Sequence, residues 1–64
     1  MLETYLHQLR MLNWDKQGCA NNYSAITAKR AIAELGHTVS DGQYSYSVVA
    51  IIGGDCYKTV RKAV

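Results

Sequence analysis

Residues 23–46, YSAITAKRAIAELGHTVSDGQYSY, decide the fold that this 64-residue chain is expected to adopt. Apolar residues recur at three- and four-residue steps over 25–35, which is the pattern of one helix face. Ser24 offers an N-cap oxygen at the start of this stretch. Gly36 ends it, because glycine readily adopts the left-handed conformation found at helix C-termini. We therefore predict a helix from Ser24 to Leu35.

A β-hairpin is predicted directly after this helix. Residues 37–40 are short and extended, and the pair Asp41-Gly42 is a strong signal for a tight hairpin turn. The returning strand alternates at first and then becomes continuously apolar from Val48 to Ile52. A run of that kind indicates a strand end that is covered on both faces.

Outside this segment, the N-terminus carries the clearest pattern. Residues at three- and four-residue steps predict a helix that ends near Asn13, with an apolar face formed by Leu2, Tyr5, Leu6, Leu9 and Leu12. Residues 13–23 have no strong period. Asp15 is a suitable cap for a short second helix there, although Gly18 weakens any helix longer than two turns.

The C-terminal residues 55–64 fit two structures. After a turn at Gly53-Gly54 they read as a strand of a second hairpin, or as an amphipathic helix capped by Asp55. We favour the short helix, because strand alternation would place Lys58 and Lys62 beside apolar residues.

Composition allows one small domain, residues 1–64, with a limited core. The chain is 48% hydrophobic with a net charge of +2, and a chain this short is only marginally stable, so dimerisation or a partner would help. Three of the seven basic residues lie near the C-terminus, at Lys58, Arg61 and Lys62. Such a group is either a solvated face or a patch that contacts phosphate or acidic surfaces.

We expect no metal, cofactor or membrane segment. Cys19 and Cys56 lack the spacing of a zinc site, and His7 and His37 are not placed to complete one. The N-terminus is too polar for a signal peptide or a membrane span. These features indicate a cytoplasmic protein with both thiols reduced, and a disulfide is the alternative.

No enzymatic activity is expected. Gly53-Gly54 follows an apolar strand but lacks the further glycines, lysine and hydroxyl of phosphate-binding loops. The carboxylates are scattered, and a core of this size offers no deep cleft for perturbed groups.

The order helix, short helix, helix, hairpin, closing helix resembles a winged helix-turn-helix domain, an α+β fold. The segment S-x-x-T-x-K-R-A-I-A-E-L-G at 24–36 is similar to the recognition helix of bacterial winged regulators. The resemblance implies that Ser24 and Thr27 touch backbone phosphate and that Lys29 and Arg30 reach phosphate or guanine. It also places the wing around residues 41–43 over the neighbouring groove.

The chain also resembles, more faintly, the small host-takeover proteins of T7-like phages, which include an inhibitor of host RNA polymerase. The matching residues are Gly36-His37 and the basic C-terminal end. This resemblance implies a protein partner in the bacterial transcription machinery.

Two functions follow for a non-enzymatic binding protein in transcription control. The first is DNA binding through the helix at 24–35 and its hairpin, with phosphates neutralised by Lys58, Arg61 and Lys62. The alternative is a phage-encoded inhibitor whose basic C-terminal helix meets an acidic surface of RNA polymerase or a sigma factor. Trp14 or Tyr57 would then anchor the partner, because interface hot spots favour aromatic residues.

Overall fold

The computed structural model describes residues 2–23 and 25–64, apart from the side chains of residues 25–27. These residues form a small compact α+β unit with two helices and a four-stranded antiparallel sheet. The elements are α1 (Leu2–Arg10), β1 (Cys19–Asn22), α2 (Ala25–Leu35), β2 (Thr38–Ser40), β3 (Tyr44–Ile52) and β4 (Cys56–Ala63).

The sheet has the strand order β1-β4-β3-β2, so that β3 and β4 lie in the middle. Both helices pack on one face of it, which we call the helix face. Tyr46 and Val48 of β3 and Tyr57 of β4 point to that face and share the core with residues of both helices. Side chains alternate along a strand, so Lys58 and Lys62 point to the opposite face, which we call the open face.

The core consists of aromatic and aliphatic side chains. Those that come from the two helices recur at the three- and four-residue steps that the sequence predicts. It contains Tyr5, Leu6, Leu9, Ala28, Ala31, Tyr46, Val48 and Tyr57. The two alanines let α2 approach the sheet closely, because their side chains are short. The first helix is thus confirmed, but it ends at Arg10 rather than near Asn13.

The helix at 24–35 and the hairpin that follows it are confirmed for the described residues. Gly36 ends α2 with φ of 87°, a left-handed conformation, and its N–H donates to the Ile32 carbonyl at 2.9 Å. Ser24, the predicted N-cap, lies outside the described residues.

The short helix predicted within 13–23 is wrong. Asp15 closes a tight loop there: its Oδ1 accepts hydrogen bonds from the N–H groups of Gln17 at 2.9 Å and Cys19 at 2.8 Å. Gly18 adopts φ of 79°, and its carbonyl accepts a hydrogen bond from the Arg61 N–H at 2.8 Å. The chain therefore enters β1, and a β-strand stands where a helix-turn-helix has its second helix.

The predicted C-terminal helix is also wrong, because residues 56–63 form β4. This strand pairs with β1 on one side and with β3 on the other. Pairing on both sides satisfies the backbone along the strand, and tertiary pairing of this kind overrides a weak helical pattern. Lys58 and Lys62 do share a face of β4 with Cys56 and Val60, but this is the open face, and both lysines stay exposed.

The apolar run at the end of β3 is not covered on both faces, contrary to the prediction. Val49, Ile51 and Ile52 are 54%, 53% and 55% exposed. An irregularity in the pairing with β4 between Val48 and Ala50 shifts the register there. The distal part of β3 therefore extends beyond the packed core.

Candidate functional site

Helix α2 presents Lys29 and Arg30 to solvent. Ala28 and Ala31 are buried against the core, and Ile32 is half-buried beside them. Arg30 stands two residues after Ala28, which places it on the outer side of the helix. Thr27 lies on the same helix, but its side chain is not among those described, and Ser24 is not described at all.

The β2–β3 hairpin lies next to α2 in sequence and in space, and its turn is organised by Asp41. The Asp41 Oδ1 accepts hydrogen bonds from the N–H groups of Gln43 at 2.9 Å and Tyr44 at 2.8 Å. The Oδ2 accepts from the Arg10 Nε and the Tyr46 hydroxyl, each at 3.0 Å. One carboxylate thus joins the turn, the first helix and the core.

These contacts change the electrostatics of the turn. The pKa of Asp41 lies well below its ordinary value because the Tyr44 and Gln43 N–H groups donate to the carboxylate, with Arg10 and Tyr46 acting in the same direction. The Asp41 side chain is only 2% exposed, whereas Arg10 is 52% exposed. The turn therefore presents no open negative charge, although it contains an aspartate.

Arg61 occupies a different place from Lys58 and Lys62. Its guanidinium carbon lies 4.9 Å from the Trp14 ring centroid and 4.4 Å from that of Tyr44. Both distances suit cation–π contacts. Arg61 is opposite Tyr46 in the sheet and therefore on the helix face, so the three basic residues near the C-terminus divide between two faces.

The two predicted aromatic anchors are both engaged inside the molecule. Tyr57 is 0% exposed. Trp14 is half-buried, its Nε1–H donates to the Leu9 carbonyl at 2.8 Å, and its ring lies 5.7 Å from Tyr46. Tyr57 is thus not available at the surface, and Trp14 offers only part of its ring.

Sequence reasoning missed a groove on the open face. It has a volume of about 600 Å³ and lies between the loop that follows α1 and the strands β1 and β4, with Asp15, Cys19, Asn21, Ile52 and Lys58 among its lining residues. The Asp15 carboxylate there already accepts two backbone hydrogen bonds. Only the pairing of β1 with β4 creates this groove, so no local signal could have located it.

Within the described ranges, no group of three or more histidine, cysteine, aspartate or glutamate side chains could hold a metal ion. Cys19 and Cys56 are both free thiols. Neither α1 nor α2 is long and apolar enough to cross a membrane.

The structure divides the predicted contact residues between two surfaces. Lys29 and Arg30 lie on α2 above the helix face, whereas Lys58 and Lys62 lie on the open face. No protein-family model matches the chain, and neither a curated protein nor a solved structure matches it.

Proposed function

We propose that the protein is a non-enzymatic DNA-binding module in bacterial transcription control, acting in the cytoplasm through α2 and the β2–β3 hairpin as a winged helix does. The observation that carries this proposal is the exposed surface of α2, where Arg30 on the outer side and Lys29 on the flank lie next to a hairpin. A helix with a wing beside it can place side chains in a major groove and a turn over the backbone.

The burial and hydrogen bonds of the Asp41 carboxylate support the same proposal. An exposed carboxylate at the wing tip would repel DNA phosphates. Here the carboxylate is buried and bonded to Arg10 and to the backbone of its own turn. The approach of the wing to a phosphate backbone therefore meets no bare negative charge.

The roles we assign follow from position on the helix. Arg30, on the outer side, would reach a base edge, and a bidentate contact to guanine suits its guanidinium. Lys29, on the flank, would contact phosphate, with Ser24 and Thr27 near the start of the helix. Because β1 replaces the usual second helix, α1 and the sheet alone would support α2 on the duplex.

Binding of labelled duplex to single variants tests these roles. Arg30→Ala should weaken affinity by about 1–3 kcal/mol if the side chain reads a base. Lys62→Ala is the matched control, because it also removes one positive charge, but from the open face. Affinity should fall steeply with salt in the wild type, because phosphate contacts release counterions.

Equal losses in Arg30→Ala and Lys62→Ala would contradict a specific role for α2. Binding that does not depend on salt would contradict phosphate contact altogether.

A second candidate, a phage-encoded protein that inhibits host RNA polymerase or a sigma factor, is favoured by the open face. Lys58 and Lys62 are exposed on it, and no described helix covers it. An acidic protein surface would complement it. Because the C-terminus is a strand, the basic residues would be presented by β4 and not by a helix.

The second candidate predicts a stoichiometric complex with purified bacterial RNA polymerase or a sigma factor. The double variant Lys58→Ala/Lys62→Ala should weaken it, whereas Lys29→Ala/Arg30→Ala should not. The opposite ranking of the two double variants would reject the open face as the contact surface.

A further inference from the structure

Two arginine side chains lie around Tyr46, beside the turn of the β2–β3 hairpin. The Arg10 Nε and the Tyr46 hydroxyl both donate to the Asp41 Oδ2, each at 3.0 Å. Arg61 pairs with Tyr46 across the sheet, and the two rings on which its guanidinium stacks lie 5.7 and 6.1 Å from the Tyr46 ring. Arg10 and Arg61 therefore belong to one cluster, although they come from α1 and β4.

The cluster has more positive than negative charge. Its one carboxylate, Asp41, accepts four hydrogen bonds, and its side chain is only 2% exposed. A carboxylate has about four acceptor positions, so Asp41 has none left for Arg61. Among the residues that the structure describes, the guanidinium of Arg61 makes neither an ion pair nor a hydrogen bond.

The donors of both arginines are suited to an anion. Arg61 is half-buried, and its cation–π contacts restrict the guanidinium without giving its N–H groups an acceptor. Arg10 uses only its Nε in the ion pair with Asp41, and its side chain is 52% exposed. A guanidinium held in this way loses little freedom on binding, and its planar set of donors matches the oxygens of a phosphate.

We propose that Arg10 and Arg61 together bind one phosphate of the DNA backbone beside the β2–β3 turn. This inference rests on the proposed function and adds to it a contact from α1 and β4. Lys62, the neighbour of Arg61, takes no part, because it points to the open face.

One duplex can contact both this cluster and α2. Arg61 lies on the helix face, which is also the face that carries α2. The molecule is 26 Å along its longest axis, which is less than one turn of duplex DNA, about 34 Å. The phosphate that the cluster binds would then flank the groove that α2 enters.

The side-chain Nε–Hε NMR signals of the wild-type protein test the proposal without any variant. The chain has three arginines, Arg10, Arg30 and Arg61, so each signal reports one place on the surface. On titration with a mixed-sequence duplex at low salt, we expect the signals of Arg10 and Arg61 to shift and to return when salt is added, because phosphate contacts release counterions.

The salt dependence of duplex affinity gives a second readout. Arg61→Gln should reduce the slope of log affinity against log salt by about 1, which is the loss expected for one phosphate contact. Lys62→Gln is the matched control, because it removes the same charge one residue away on the open face, and it should leave the slope unchanged. Equal reductions in the two variants would overturn the proposal.

The three arginine signals separate this proposal from the role assigned to α2. A shift at Arg30 with unchanged signals of Arg10 and Arg61 would overturn the phosphate contact and leave the proposed function standing. Shifts at Arg10 and Arg61 with an unchanged Arg30 would support the contact and contradict base reading by α2. A shift at only one of Arg10 and Arg61 would overturn the shared contact, and three unchanged signals would overturn both proposals.

Discussion

At the scale of single residues, Asp41 and Arg61 show how a charged side chain can act inside the fold. Asp41 has the sequence context of a turn residue, and the structure adds contacts with Arg10 and Tyr46. Arg61 belongs to a basic group by sequence, yet it stacks on Trp14 and Tyr44. Neither role could be predicted from the neighbouring sequence, because Arg10 is far from Asp41 in the chain and Trp14 is far from Arg61.

Because the pKa of Asp41 is lowered in the folded protein, the free energy of unfolding should decrease at acidic pH. Since the folded carboxylate resists protonation, its contribution is complete above the pKa of free aspartate, about 3.9, and is lost as the pH falls toward the lower folded pKa. We expect the urea midpoint to fall below about pH 4. Asp41→Asn should lower the midpoint at pH 7 and flatten this acid dependence.

Asp55→Asn, which removes a carboxylate from the other hairpin turn, is the control and should change the neutral midpoint less. An Asp41→Asn protein with the wild-type acid dependence would contradict the role of the network.

The stacking of Arg61 predicts a cost in stability. Arg61→Met keeps the length of the side chain but removes the cation, and it should lower the free energy of unfolding by about 0.5–2 kcal/mol. Urea unfolding monitored by Trp14 fluorescence measures this loss, and the emission of the folded state should also change. Lys62→Met, one residue away on the open face, should cost less, and equal losses would argue against the stack.

At the scale of elements, the sequence predicts those parts that local signals specify. The helix α2, the stop at Gly36 and the β2–β3 hairpin all follow from residues within the segment. Local signals left β4 open between a strand and a helix, and they gave no indication of β1, because β1 forms only by pairing with β4. β4 joins residues far apart in the chain, such as Cys19 and Val60, and short sequence windows do not contain such pairs.

Gly18, directly before β1, lies close to the backbone of β4. A Cβ at Gly18 would lie 2.6 Å from the Arg61 carbonyl oxygen, and the residue has φ of 79°. Gly18→Ala should therefore suffer both backbone strain, of order 1–3 kcal/mol, and a clash with the backbone of β4. Gly42→Ala is the matched control, because Gly42 has φ of 90° but open space around it.

Thermal or urea unfolding should show a clearly larger loss for Gly18→Ala than for Gly42→Ala. Losses of the same size would mean that β1 can move away from β4 without cost.

At the scale of the whole molecule, the fold distributes the predicted basic contact residues over two separate exposed surfaces. The exposed surface of α2 carries Lys29 and Arg30, and the open face carries Lys58 and Lys62. The α+β class was predictable, because helix and hairpin signals are both strong. The division of the basic residues was not, since it follows from the C-terminal segment forming a central strand.

The central claim is that α2 and its hairpin bind DNA, and amide NMR shifts of the labelled protein with a mixed-sequence duplex at low salt test it most directly. We predict shifts at Thr27, Lys29, Arg30 and residues 41–43 that reverse when salt is added, because phosphate contacts depend on counterion release. An unchanged spectrum, or shifts confined to β4 around Lys58 and Lys62, would contradict the claim.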